Sequence, residues 1–70
     1  MKLKKGKRVR LRNDLIVGKY YGEYDWSDTM DDFSGKEVTI STVLQDSFTI
    51  VEDLGFCNYT REMVDKVLFP

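Results

Sequence analysis

Two groups of side chains have the types and spacing to recognise a partner. Between residues 20 and 26, Tyr20, Tyr21, Tyr24 and Trp26 are interleaved with Glu23 and Asp25, so four of the nine aromatic residues fall in one short stretch. Tyrosine and tryptophan are favoured interface anchors. Carboxylates beside them favour a partner bringing Lys or Arg, which can also stack on the rings. The second group is Lys2, Lys4, Lys5, Lys7, Arg8, Arg10 and Arg12, seven of the eleven basic residues in the first twelve positions. Such a run can neutralise phosphates, with an affinity that falls steeply as salt rises.

Catalytic chemistry has little to work with. The chain has no histidine, hence no imidazole base and no Ser-His-Asp or Cys-His pair. Cys57 is the single cysteine, so no internal disulfide can form, and in an apolar stretch it reads as a packing residue. Asp28, Asp31 and Asp32 lack the spacing of a calcium loop and suit the N-terminal end of a short helix instead. Gly18, Gly22 and Gly35 are too scattered for either phosphate-binding signature. The expectation is a non-enzyme with no cofactor and no metal.

Charge weighs the two surfaces against each other. The formal net charge is −1, but residues 13–70 hold four basic and all twelve acidic residues, a net of −8. The two portions can therefore neutralise each other or present faces of opposite potential. The isoelectric point of about 5.3 is not that of a typical nucleic-acid-binding domain. No aromatic residue interrupts the basic run to offer a stacking platform. Protein is thus the expected partner, through Tyr21, Tyr24, Asp25 and Trp26. Nucleic acid, through Lys4, Lys5, Lys7, Arg8, Arg10 and Arg12, is the alternative.

These groups must be positioned by a small domain. Seventy residues allow one domain over 1–70, with 1–6 free to be a loose basic tail. Residues 7–12 alternate Val9 and Leu11 with Arg8, Arg10 and Arg12, the period of a half-buried strand. Residues 13–35 form a long irregular loop, in which Ser27 or Asp28 caps a short helical turn with Met30 and Phe33 inward. Residues 36–44 and 47–52 are β-branched strands joined by a tight turn at Gln45-Asp46. A turn at Asp53-Leu54-Gly55 leads to a strand over 56–59. Thr60 caps a turn of Arg61, Glu62 and Met63, and 66–69 close as a fifth strand, with Pro70 at its end. The expected core is Val9, Leu11, Val38, Ile40, Val43, Phe48, Ile50, Phe56, Met63 and Val67.

This order of lengths resembles that of an SH3-like barrel: mainly β, five short strands, a long first loop and one or two short helical turns. The sequence is also similar to a group of small uncharacterised phage and prophage proteins. The likeness rests on the run Gly6 to Gly22, with Val9-Arg10-Leu11-Arg12 and Val17-Gly18 inside it. Asp28-Thr29-Met30, then Gly35-Lys36-Glu37-Val38-Thr39-Ile40, then Glu62-Met63 complete it. Where those proteins often carry Trp in the fourth strand, this chain has Phe56-Cys57-Asn58-Tyr59. The resemblance implies a phage or prophage accessory protein that contacts a host or phage protein. Residues 1–12 lack the apolar core of a signal peptide, and no run reaches the ~18 apolar residues of a membrane span. A cytoplasmic monomer or weak dimer, away from membranes, is expected.

Overall fold

The computed structural model describes residues 3–68, and Lys2, Phe69 and Pro70 lie outside that range. The chain is mainly β. Its six strands are β1 (Arg8–Leu11), β2 (Tyr20–Tyr21), β3 (Tyr24–Asp25), β4 (Glu37–Val43), β5 (Phe48–Ile50) and β6 (Val64–Leu68). One helical turn, α1 (Asp28–Asp31), lies in the long connection between β3 and β4, and a 3₁₀ turn (Arg61–Met63) leads into β6. No helix among the described residues is long and apolar enough to cross a membrane.

The principal sheet runs β5-β4-β1-β6, antiparallel throughout, and β2-β3 form a separate hairpin. Alternation explains the sheet. Val9 and Leu11 of β1 and Val38 and Ile40 of β4 are all but sealed from solvent, while the residues between them are not. Val9 sits opposite Val38 on one side and Val67 on the other, so β1 is the middle of the core. The ladders found among the described residues do not close into a barrel.

Residues 56–59 do not form the expected fourth strand. Only Tyr59 pairs, through a single bridge in which it exchanges backbone hydrogen bonds of 2.8 and 2.7 Å with Phe48. The cause is the side chain of Asp53. Its Oδ1 accepts from the amides of Gly55 (3.0 Å) and Phe56 (3.2 Å), and its Oδ2 from the amide of Cys57 (3.3 Å) and the hydroxyl of Tyr59 (3.1 Å). The backbone is thereby held as turns. Leu54 and Gly55 have φ of 59° and 74°, and the Phe56 amide donates to the Asp53 carbonyl at 3.1 Å, the pattern of a tight primed turn. Phe56 consequently points outward, 78 % exposed, and is not the core residue the alternation implied. Val43 also departs from the expected core. It lies past an irregularity in the β4–β5 register, at the last position of its strand, and is 42 % exposed. Strand β6 begins two residues earlier than the 66–69 expected, because the 3₁₀ turn delivers Val64 directly opposite Leu11.

Candidate functional site

The aromatic stretch is not the exposed patch its density implied. Trp26 is wholly buried and Tyr21 is 8 % exposed, so both belong to the core. The hairpin explains this. Tyr21-Gly22-Glu23-Tyr24 is a two-residue loop with glycine, φ +80°, at the first loop position, where a hairpin turn of this length demands a positive φ. Beyond β3 the chain stays paired, with the Trp26 amide donating to the Lys19 carbonyl at 2.9 Å and the Gly18 amide to the Trp26 carbonyl at 2.7 Å. Trp26 therefore turns inward. Its indole N–H donates to Asp31 Oδ1 at 2.9 Å, and its ring meets Tyr59 edge-on with centroids 6.1 Å apart. Tyr59 in turn stacks on Phe48 at 5.8 Å. Asp31 is thus a structural partner of Trp26, supported by α1, whose cap is the Ser27 hydroxyl accepting from the Met30 amide. Among the described residues no group of His, Cys, Asp or Glu side chains converges as a metal site would require.

Tyr21 fastens the hairpin to the body. Its hydroxyl accepts from the Ile16 amide at 2.9 Å, and its carbonyl accepts from the buried Thr60 hydroxyl. The cations of Arg12 and Lys19 stand 5.7 and 5.6 Å from its ring centre. Tyr24 and Asp25 remain on the surface, as does Tyr20.

What the hairpin does create is a groove. The tip Gly22-Glu23 and the β4–β5 connection Leu44–Ser47 stand on either side of an open concavity of about 390 Å³, with Arg61 and Glu62 of the 3₁₀ turn also lining it. Its apolar lining comes from Leu3, Val43, Leu44 and Phe48. Val43 and Leu44 are 42 % and 49 % exposed, which makes them ready to be covered. Tyr24 extends this surface across a neighbouring hollow that it shares with Glu23, Leu44 and Asp46. The carboxylates of Glu23, Asp46 and Glu62 line the groove against one cation, Arg61. A Cβ on Gly22 would lie 2.9 Å from Glu62 Oε1, so the hairpin tip and the 3₁₀ turn meet as closely as glycine allows. Leu3, Val43, Leu44 and Glu62 were not singled out from the sequence as binding residues, and Val43 was expected in the core. The signal for the hairpin was present in Tyr-Tyr-Gly-Glu-Tyr, a glycine-led pair between aromatic residues.

The basic strand presents a different picture from its sequence. Arg10 donates to Glu37 Oε2 at 3.1 Å, and Arg8 lies 3.9 Å from Glu37 Oε1. Arg12 forms a two-pronged contact with Asp14, both bonds 2.9 Å, and donates to the Glu62 carbonyl at 3.1 Å. Its hydrogen bonding to Asp14 holds that carboxyl below the usual range and raises Arg12. The wide hollow of about 700 Å³ beside β1 sets Arg10, Arg12 and Lys36 against Asp14, Glu37 and Asp65, a balanced lining rather than a phosphate channel. Lys4, Lys5 and Lys7 form no ion pair among the described residues.

Two groups behind the turn titrate away from their ordinary positions. Burial, reinforced by the Asp53 carboxylate, pushes both the Cys57 thiol and the Tyr59 hydroxyl up. For Tyr59, whose ordinary value is 10.0, the unfolded chain releases the proton first as pH rises. Stability that is fully present below that value should fall above it. Urea midpoints taken across the alkaline range should decline more steeply for the parent than for Tyr59→Phe. Parallel declines would contradict this account. No protein-family model, no curated protein and no solved structure matches the chain.

Proposed function

We propose that the chain is a non-catalytic binding module that holds an extended segment of a protein partner in the groove between its two hairpin tips. The observation that carries this reading is the groove itself: two loops stand on either side of a concavity with an acidic rim, lined by the half-exposed side chains of Val43 and Leu44. An extended segment bearing Lys or Arg beside apolar side chains matches that lining. The order of elements supports an SH3-like barrel: a long first loop between β1 and β4, a tight β4–β5 turn, Tyr59 bridging to β5, a 3₁₀ turn, and the last strand beside the first. The resemblance to phage and prophage proteins points to a host or phage protein as partner. In this reading Tyr24 and Asp25 keep a place at the contact surface, while Tyr21 and Trp26 build the hairpin that presents them.

Titrating the labelled protein with short peptides carrying Lys and apolar residues, followed by amide resonances, tests the proposal. Shifts should gather at Gly22–Tyr24, Leu44–Ser47 and Arg61–Glu62. Replacing Tyr24 and Leu44 together by alanine should weaken binding by about tenfold or more, since exposed anchors carry most of a small interface. The same change should leave the urea midpoint nearly unmoved, as exposed residues cost little to truncate. Shifts confined to Lys4–Arg12, reproduced by duplex DNA and abolished by salt, would instead favour the basic strand as the working face.

A further inference from the structure

The turn after β5 holds an apolar residue from which the fold gains nothing. In Asp53-Leu54-Gly55-Phe56 the first central position is Leu54, at φ 59°, where such a turn favours Asn, Asp or Gly. A bulky side chain in the left-handed region is strained. Packing does not offset the strain, because Leu54 is 95 % exposed. Phe56 is exposed beside it, and Val51 is half-exposed. The Leu54 amide donates to the Val51 carbonyl at 3.0 Å, which ties Val51 into the same pair of turns. Asp53 holds their backbone through the amides of Gly55, Phe56 and Cys57. A backbone already fixed loses less entropy when its side chains are bound. Charge marks the same turn. Between Lys36 and Arg61 the chain has no basic residue. Neither Glu52 nor Asp53 forms an ion pair among the described residues. Glu52 accepts from the Thr39 amide at 2.9 Å, while Arg8, which faces Thr39 from β1, reaches Glu37 instead. Two carboxylates without a cation therefore flank the apolar protrusion. None of residues 51–57 lines the groove, so this is a second surface.

We infer that Leu54 and Phe56 form an apolar knob that enters a pocket on a protein partner, apolar within and lined at its mouth by Lys or Arg. A protruding turn requires a concave receptor, and the carboxylates of Glu52 and Asp53 are complementary to cations at its rim. The same carboxylates disfavour two other receptors. An anionic bilayer repels them, and a second copy meeting knob to knob would crowd like charges together. Backbone strain of this kind gathers at contact sites, where surrounding hydrogen bonds hold it in place.

Two measurements on the full chain test this. Leu54→Asn keeps the turn and relieves the strain, and should melt about 4 °C higher than the parent. A lower melting temperature would show that Leu54 serves the fold, and would overturn the inference. The second probe is amino-β-cyclodextrin, an apolar cup with ammonium groups at its mouth, titrated while amide and methyl resonances are followed. Shifts should centre on Val51, Leu54 and Phe56. Binding should be about tenfold weaker for the sulfated cup, and Glu52→Gln should narrow that difference. Leu54→Asn combined with Phe56→Ser should abolish the shifts at the turn. No shifts there, or equal affinity for the two cups, would overturn the inference. So would movement of the same resonances on adding vesicles of phosphatidylcholine and phosphatidylglycerol, or on concentrating the protein alone, which would assign the knob to a bilayer or to a second copy. Each of these failures leaves the groove reading standing.

Discussion

Trp26→Ala is expected to unfold the domain at room temperature. Removing a wholly buried aromatic side chain costs about 3–5 kcal/mol, and a folded protein holds only about 5–15 kcal/mol in total, with small domains at the low end. The loss here exceeds the missing volume. Tyr59 forfeits its edge-on neighbour, and the Asp31 carboxylate forfeits the indole donor 2.9 Å away. Trp26→Phe retains most of the volume but not the donor, and should be intermediate. Far-UV circular dichroism and urea titration of the pair check this. An alanine variant with the parent's urea midpoint would mean that Trp26 is not the centre of the core. In the parent, the tryptophan emission should resist quenching by acrylamide, as befits a sealed indole.

The second large effect belongs to Asp53. Its carboxylate accepts from three backbone amides and the Tyr59 hydroxyl, so Asp53→Ala weakens four contacts at once: the Gly55 and Phe56 amides keep the Ile50 and Asp53 carbonyls, while the Cys57 amide and the Tyr59 hydroxyl lose their acceptor. Hydrogen bonds to charged groups contribute about 1.5–3 kcal/mol each. Water can reach the outward-facing amides, which limits the total to about 2–4 kcal/mol. At ~4–8 °C per kcal/mol for a domain of this size, thermal unfolding should fall by at least about 8 °C. Asp53→Asn keeps one acceptor oxygen and should recover part of the loss. A melting temperature unchanged by Asp53→Ala would show that the turn is held by its backbone alone.

The strands with uninterrupted alternation were legible in the sequence. Val9 and Leu11, and Val38 and Ile40, identify their strands and their buried face without any tertiary information. A cap at Ser27 or Asp28 was legible too, because a side-chain oxygen ahead of a short acidic turn has one strong local use, and Ser27 fills that place. Residues 56–59 were not. Phe-Cys-Asn-Tyr has the composition of a strand, but a carboxylate three residues upstream gives its amides another partner. The loop 13–35 misled in a related way. Aromatic density does not distinguish a surface patch from a plug, and what decided the matter was the Gly22 turn that folds Trp26 back inside. Only part of the candidate site was legible. Tyr24, which lines the hollow beside the groove, was named from the sequence, whereas Leu3, Val43-Leu44 and Glu62 come together from three separated parts of the chain. No local pattern records such a meeting.

Strand β1 lies between β4 and β6, so Arg8 is paired with Thr39 on one side and with Leu68 on the other. The second of these pairings closes nearly the whole described chain. Contacts so distant along the sequence lose entropy before they return any burial, which places proteins of this kind among the slower two-state folders. During synthesis β1 can gain its β4 neighbour early, but its other edge stays open until residue 68 has left the ribosome. An open edge is a site for wrong pairing between chains. The arginines at positions 8 and 10 on β1 therefore act in time as well as in space: before Glu37 of β4 arrives to pair with them, two nascent chains meeting edge to edge would set like charges against one another.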